Sequence, residues 1–179
     1  MKAKKIAYSS MLFWGIMGIS LLYAGTEAFD QSMPPVVEEY LKIQEALADD
    51  KTDGVKSAAK KVAALSDNLD PNTVTGEHAM HYKDVPANIK TAALKLAKGK
   101  EIGAMREAFK ELSRPMAMWA TMSKPEGIYL VYCPMAKGSW LQTDKVIRNP
   151  YHGHEMLHCG EFVDGEPQDE NPHHHMKNH

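Results

Sequence analysis

The chain is poor in cysteine and lacks the short motifs that mark common enzymes. Two of its 179 residues are Cys, at 133 and 159, too far apart for the C-x-x-C dithiol of redox catalysts. No glycine-rich nucleotide loop, hydrolase elbow or zinc-protease helix motif occurs. A cysteine nucleophile would need a positioned histidine and an oxyanion hole, and Pro134 and Met135 have no role in that chemistry. A non-enzymatic function is therefore expected. Neither sign of charge predominates: 21 basic residues face 23 acidic ones, for a formal net charge of −2. No basic block follows the N-terminus, which removes the electrostatic case for nucleic acid. There is no internal repeat.

Long apolar runs are absent except at the start. Lys2, Lys4 and Lys5 precede an uncharged stretch from Ile6 to Ala24, the layout of a bacterial secretory signal. Residues 1–28 are expected to be that signal, with Ala24 or Ala28 before the cut. An uncleaved anchor is the alternative, because the run is close to the length that spans a bilayer. Either way the remainder is expected outside the cytoplasm, in the periplasm or an equivalent compartment, where disulfides persist.

What is present is helical periodicity, followed by methionine and histidine beside the cysteines. Val36, Val37, Tyr40, Leu41, Gln44, Leu47 and Ala48 recur at helical spacing after Pro34 and Pro35. A second stripe runs Val55, Ala58, Ala59, Val62, Leu65, Leu69, and Asp70-Pro71-Asn72 stops it. A third runs Val85, Ile89, Ala92, Ala93, Leu96 behind Asp84. A fourth runs Ile102, Met105, Ala108, Phe109, Leu112, Met116, and Pro115 should kink or break it. Residues 73–82 fit a short helix or an ordered loop. These features predict an up-and-down four-helix bundle. Gly127 to Tyr132 then reads as a strand, and Trp140-Leu141-Gln142 as the start of a return strand. The expected organisation is a bundle with a small β-containing cap over residues 33–163, then a polar, disordered, His-rich tail over 164–179.

The chain holds 12 Met and 9 His, and several cluster around the two cysteines. Thiolate and thioether are soft ligands that select Cu(I), with zinc as a competitor for thiolate and imidazole. The principal candidates are Cys133 and Met135 in one segment and His154, Met156, His158 and Cys159 in another. His152 is a secondary candidate. If the segment is helical, His154 and His158 share a face, and Glu155 is available to orient a histidine ring. His78 and His81, with Met80 between them, form a further group. Met116, Met118, Trp119 and Met122 make a stripe more consistent with core packing. His173, His174 and His175 in the tail suit loose capture of Cu(II), Ni(II) or Zn(II). The competing reading of the cysteines is a disulfide, whose loop would contribute roughly 3–4 kcal/mol in the chain-entropy model. A third is a dithiol that alternates between metal-bound and oxidised states.

The order Tyr132-Cys133-Pro134-Met135-Ala136, then Gly138-Ser139-Trp140-Leu141-Gln142, then Ile147 to Gly160 resembles a bacterial extracytoplasmic family, the domain of unknown function 3347. The resemblance covers about residues 33–163, and its last quarter carries the specific motifs. The matching positions are Cys133, Pro134, Met135, Trp140, Asn149, Pro150, Tyr151, Gly153, Met156, Cys159 and Gly160. The family also occurs fused to periplasmic adaptor subunits of copper and silver efflux pumps. The resemblance thus implies a helical bundle with a metal-site segment and a link to heavy-metal handling. Cu(I) is the implied cargo, with Ag(I), Cu(II) or Zn(II) as further possibilities and an efflux-pump periplasmic subunit as the partner. This chain departs from the pattern by lacking an adaptor domain and by carrying the extra histidines 152, 154 and 158 and the tail. The alternative is a disulfide-stapled module that docks a pump or sensor partner.

Overall fold

A computed structural model of the chain describes residues 26–165. The leader read over residues 1–28 lies almost wholly outside the described residues, and so do His173, His174 and His175 of the tail. No helix among the described residues is long and apolar enough to cross a membrane.

The fold is a mainly helical bundle capped by a small antiparallel sheet, as the periodicity predicts. Four long helices carry it: α2 (Pro34–Ala48), α3 (Val55–Leu65), α5 (Val85–Ala97) and α6 (Ile102–Ser123), with one short helix, α1 (Glu27–Ser32), ahead of them and another, α4 (Ala79–Tyr82), between α3 and α5. The long helices pack in chain order, α2 on α3, α3 on α5, α5 on α6. Tyr40 stacking on Phe109 at 4.9 Å brings α2 against α6. Each expected stripe faces the core: Val36, Tyr40, Leu47, Val62, Ile89, Leu96, Phe109 and Leu112 are all fully buried.

At three places the structure revises or resolves a local expectation. Pro115 does not end its helix, and α6 continues to Ser123. A mid-helix proline costs about 3 kcal/mol, but Pro115, Met116 and Trp119 on the following turn are buried, and burying such side chains offsets that cost. Residues 71–82 are two single 3-10 turns, Pro71–Thr73 and Gly76–His78, leading into α4. Helix α1 lies at the junction with the expected leader, where composition signals targeting rather than packing. Its Phe29 is buried and meets Tyr82 edge-on at 4.8 Å. Its Asp30 accepts from Trp119 Nε1 at 2.7 Å and from Ser123 Oγ at 2.5 Å.

The cap is a three-stranded sheet in the order β2-β1-β3, with β1 at Tyr129–Cys133, β2 at Gly138–Gln142 and β3 at Glu161–Phe162. Strand β2 lies on α6 and α2. Tyr40 fixes that junction: its buried hydroxyl accepts the Leu141 N–H at 3.2 Å and lies 2.7 Å from Ser113 Oγ. Burial pushes the Tyr40 phenol well above its ordinary value, so it stays a neutral hydrogen-bonding group.

Candidate metal centre

The sheet register brings the two cysteines together. Tyr132 pairs with Glu161 across β1 and β3, which carries Gly160 opposite Cys133 and Cys159 just beyond it. The sulfurs lie 3.3 Å apart, and both thiols are free. Cys133 is fully buried and Cys159 half-buried. After Cys133 the chain reverses through Pro134 to Lys137, with Lys137 in the left-handed region at φ 49°. The turn points the Ala136 N–H at Cys133 Sγ, at 3.4 Å. Gly138 closes it because a Cβ there would meet the Tyr151 ring at 2.9 Å. On the other side, Gly160 adopts φ 153° against Trp140 and Val131, which fixes the path of Cys159.

The two thiols are electrostatically unequal. Burial pushes Cys133 up, but the Ala136 N–H, the Cys159 thiol, the Asn149 amide and the Met135 N–H together hold it below its ordinary value. Cys159 is pushed up, first because it donates to Cys133 and then by burial. Of the two thiols, Cys133 is therefore the one that gives up its proton more readily. A thiolate is the form that binds metal.

Asn149 organises the site, a role the sequence reading did not assign to it. It is fully buried. Its Nδ2 donates to the Cys159 carbonyl at 2.6 Å, and its Oδ1 accepts from the N–H groups of Tyr151 at 2.8 Å and His152 at 3.3 Å. Two other buried amides do similar work. Gln44 of α2 donates to the Arg148 carbonyl at 2.7 Å. Gln142 accepts from Trp140 Nε1 at 2.9 Å and from the Arg148 N–H at 3.1 Å. Arg106 of α6 then clamps the loop to the bundle, donating to Pro150 O at 3.0 Å, Leu47 O at 2.9 Å and Asp50 Oδ1 at 2.5 Å. Arg148 pairs with Asp49. The sequence signal for Asn149 is its place before Pro150, which reads only as a turn. Its Cys159 partner is ten residues away, while Tyr151 and His152 are two and three away.

The expected ligands do not all converge. Met135 sits on the sulfur-binding turn, but its side chain is 66% exposed. Met156 is half-buried, and its carbonyl accepts the Cys159 N–H at 3.0 Å. His154 and His158 do not share a helical face, because the segment is a single 3-10 turn, Gly153–Glu155. His154 is exposed, and its N–H caps onto Asp50 Oδ2 at 3.0 Å. Exposed His158 uses Nδ1 on the Ile147 carbonyl at 2.8 Å. Glu155 is exposed. His152 Nε2 is buried with no hydrogen-bond partner among the described residues. His78 is half-exposed beside Glu77, and Met80 and His81 are exposed. Met116 and Trp119 are core residues. Trp140 and Tyr151 are buried beneath the cap, edge to face at 5.7 Å. Among the described residues no group of three His, Cys, Asp or Glu side chains is placed to share an ion.

A family model described as "Protein of unknown function (DUF3347)" matches residues 36–126, half of the chain. The match covers the long helices and stops before β1. The helical region therefore carries the family assignment, and the cysteine segments that suggested the resemblance lie beyond the matched span. No curated protein and no solved structure matches.

Proposed function

The chain belongs to the DUF3347 family, and we propose that it holds a soft monovalent cation, Cu(I) or Ag(I), on Cys133 and Cys159 outside the cytoplasm. It would act there as a buffer, chaperone or donor to an efflux system. The observation that carries this reading is the free thiol pair at 3.3 Å, one sulfur buried and one near the surface. Sulfur–metal bonds of about 2.3 Å, the zinc value, need sulfurs about 3.8 Å apart at a tetrahedral angle and about 4.6 Å in a line. The pair would open by about an ångström, which half-buried Cys159 can supply. A structural zinc site takes four ligands, whereas Cu(I) and Ag(I) are satisfied by two or three soft ones. Two thiols with one thioether are enough for the monovalent ions. Met135, two residues after Cys133, and Met156, three before Cys159, are the candidates for a third, thioether ligand.

The same contact also supports a second reading, a disulfide-stapled module that docks a pump or sensor partner. An anaerobic Cu(I) titration of reduced protein against a competing chelator separates the two. Tight binding that is lost in Cys133→Ser and Cys159→Ser, and retained when residues after Val163 are removed, is the expected result. Weak binding indifferent to both serines and abolished by removing the tail would refute the cation-site reading.

A further inference from the structure

Both sulfurs are already in contact, yet they face different surroundings. Cys133 has no exposed surface, and it is enclosed by the Ala136 turn on one side and Asn149 on the other. Cys159 is half-buried, and it is the only one of the two that a reagent from solvent meets. Its backbone is held by three constraints: the Met156 carbonyl on its N–H, the Asn149 amide on its carbonyl and Gly160 packed on Trp140. A sulfur attached to Cys159 would therefore stay beside Cys133 Sγ.

We propose that Cys159 and Cys133 form a directional thiol–disulfide exchange pair, in which Cys159 takes a sulfur from an external disulfide and Cys133 resolves it. In the first step Cys159 Sγ, passing its proton to Cys133 Sγ 3.3 Å away, attacks one sulfur of a disulfide R–S–S–R. That S–S bond breaks, a Cys159–S–S–R bond forms, and RS⁻ leaves as the thiolate. In the second step Cys133 sulfur attacks Cys159 Sγ, and a second RS⁻ leaves with the Cys133 proton. Two protein thiols are oxidised, and one external disulfide is reduced to two thiols. The substrates are small disulfides or exposed protein disulfides that fit over Cys159. Closure needs the sulfurs to move from 3.3 Å to the bonded distance of about 2.05 Å. It also consumes both ligands, so oxidation ejects a bound cation. This last consequence rests on the cation-binding reading, and the exchange itself does not.

The test treats reduced full-length chain with glutathione disulfide, quenches with acid and reads the products by mass spectrometry. Wild-type protein is expected to reach the internal disulfide without a lasting glutathione adduct. Cys133→Ser should accumulate one glutathione on Cys159. Cys133→Ala, which places no hydroxyl in the buried position, repeats the trap if the serine variant does not fold. Cys159→Ser should react about tenfold more slowly or worse, since its remaining thiol is buried. A lasting adduct on wild type, or equal capture rates in the two single variants, overturns the assignment. Ag(I) titration of the reduced and oxidised chain forms the second arm. Silver bound only by the reduced form supports ejection, and silver held equally by the oxidised form overturns it. Exchange that proceeds as expected in a reduced chain that binds no silver leaves the exchange pair standing and removes the cation reading.

Discussion

The bundle and the cap of this molecule are held by different physics. The bundle is an apolar solid: its helices meet through Val, Ile, Leu, Ala and Phe side chains with no exposed surface, and the loss of one contact is shared by many neighbours. The cap has a small apolar floor of Val131, Trp140, Leu141 and Tyr151. Its loops are fixed by single side chains, each satisfying several backbone groups. Hydrophobic packing degrades in proportion to the area lost, whereas a buried hub fails as a unit because every partner is left unsatisfied. Geometry within a few tenths of an ångström matters to a sulfur pair, and directional bonds supply it where a small core does not.

Damage to the bundle should have the largest effect. Ile89→Ala removes a fully buried side chain from α5 and should cost about 2–5 kcal/mol. Far-UV circular dichroism and a thiol-reactivity probe should then report one common denaturation midpoint, because the cap has no core of its own. Separate midpoints would show that the two regions are independent.

Asn149→Ala should sharpen the contrast. It strands the Tyr151 N–H and the Cys159 carbonyl and should cost about 1–3 kcal/mol. Helix content should remain while amide exchange accelerates over residues 149–160 and the thiols become more reactive. Unchanged exchange in that loop would remove Asn149 as its hub.

A more local effect is expected at Gly153, which sits at φ 57° where an added Cβ would run into the Asp50 carboxylate and the Arg106 guanidinium. Gly153→Ala strains the backbone by about 1–3 kcal/mol and pushes the clamp apart. Cap undocking measured by exchange, with little change in helix melting, is the expected signature.

The mildest perturbation is acid. Asp49 is held below its ordinary value of 3.8 by Lys51 and by Arg148. Asp50 is held below the same value by the His154 N–H and by Arg106. Because both folded values are depressed, their contribution is present above the ordinary carboxylate range. It is lost as pH falls through the lower folded values. Proton titration below about pH 4 should therefore loosen the 148–154 loop before the helices melt. Arg106→Gln should flatten that response, and a wild-type loop as firm at low pH as at neutral pH would refute the clamp.

The same division governs what can be read from residues alone. The helices were legible because Val36, Tyr40 and Leu47, or Ile89, Ala93 and Leu96, repeat at the period of a helix that buries one face. Strands β1 and β2 were legible from Tyr129 to Tyr132 and from Trp140 to Gln142. The meeting of Cys133 and Cys159 was an expectation without a mechanism, since it depends on the pairing of Tyr132 with Glu161 in a two-residue strand. Arg106 looked like any charged residue on a helix surface, because nothing local reveals that its partners are Leu47, Asp50 and Pro150. The shared face expected of His154 and His158 failed for a related reason. Asp50, 104 residues from His154, and Ile147, 11 residues from His158, fix those two residues.

The doubly used hydroxyl of Tyr40 also orders events in time. Its contact with Leu141 joins residues 101 positions apart, while the helices it belongs to pack against their nearest neighbours along the chain. Short loops close at little entropic cost and long ones close late. The seat that α2 and α6 offer to β2 is therefore expected to form before β2 docks on it.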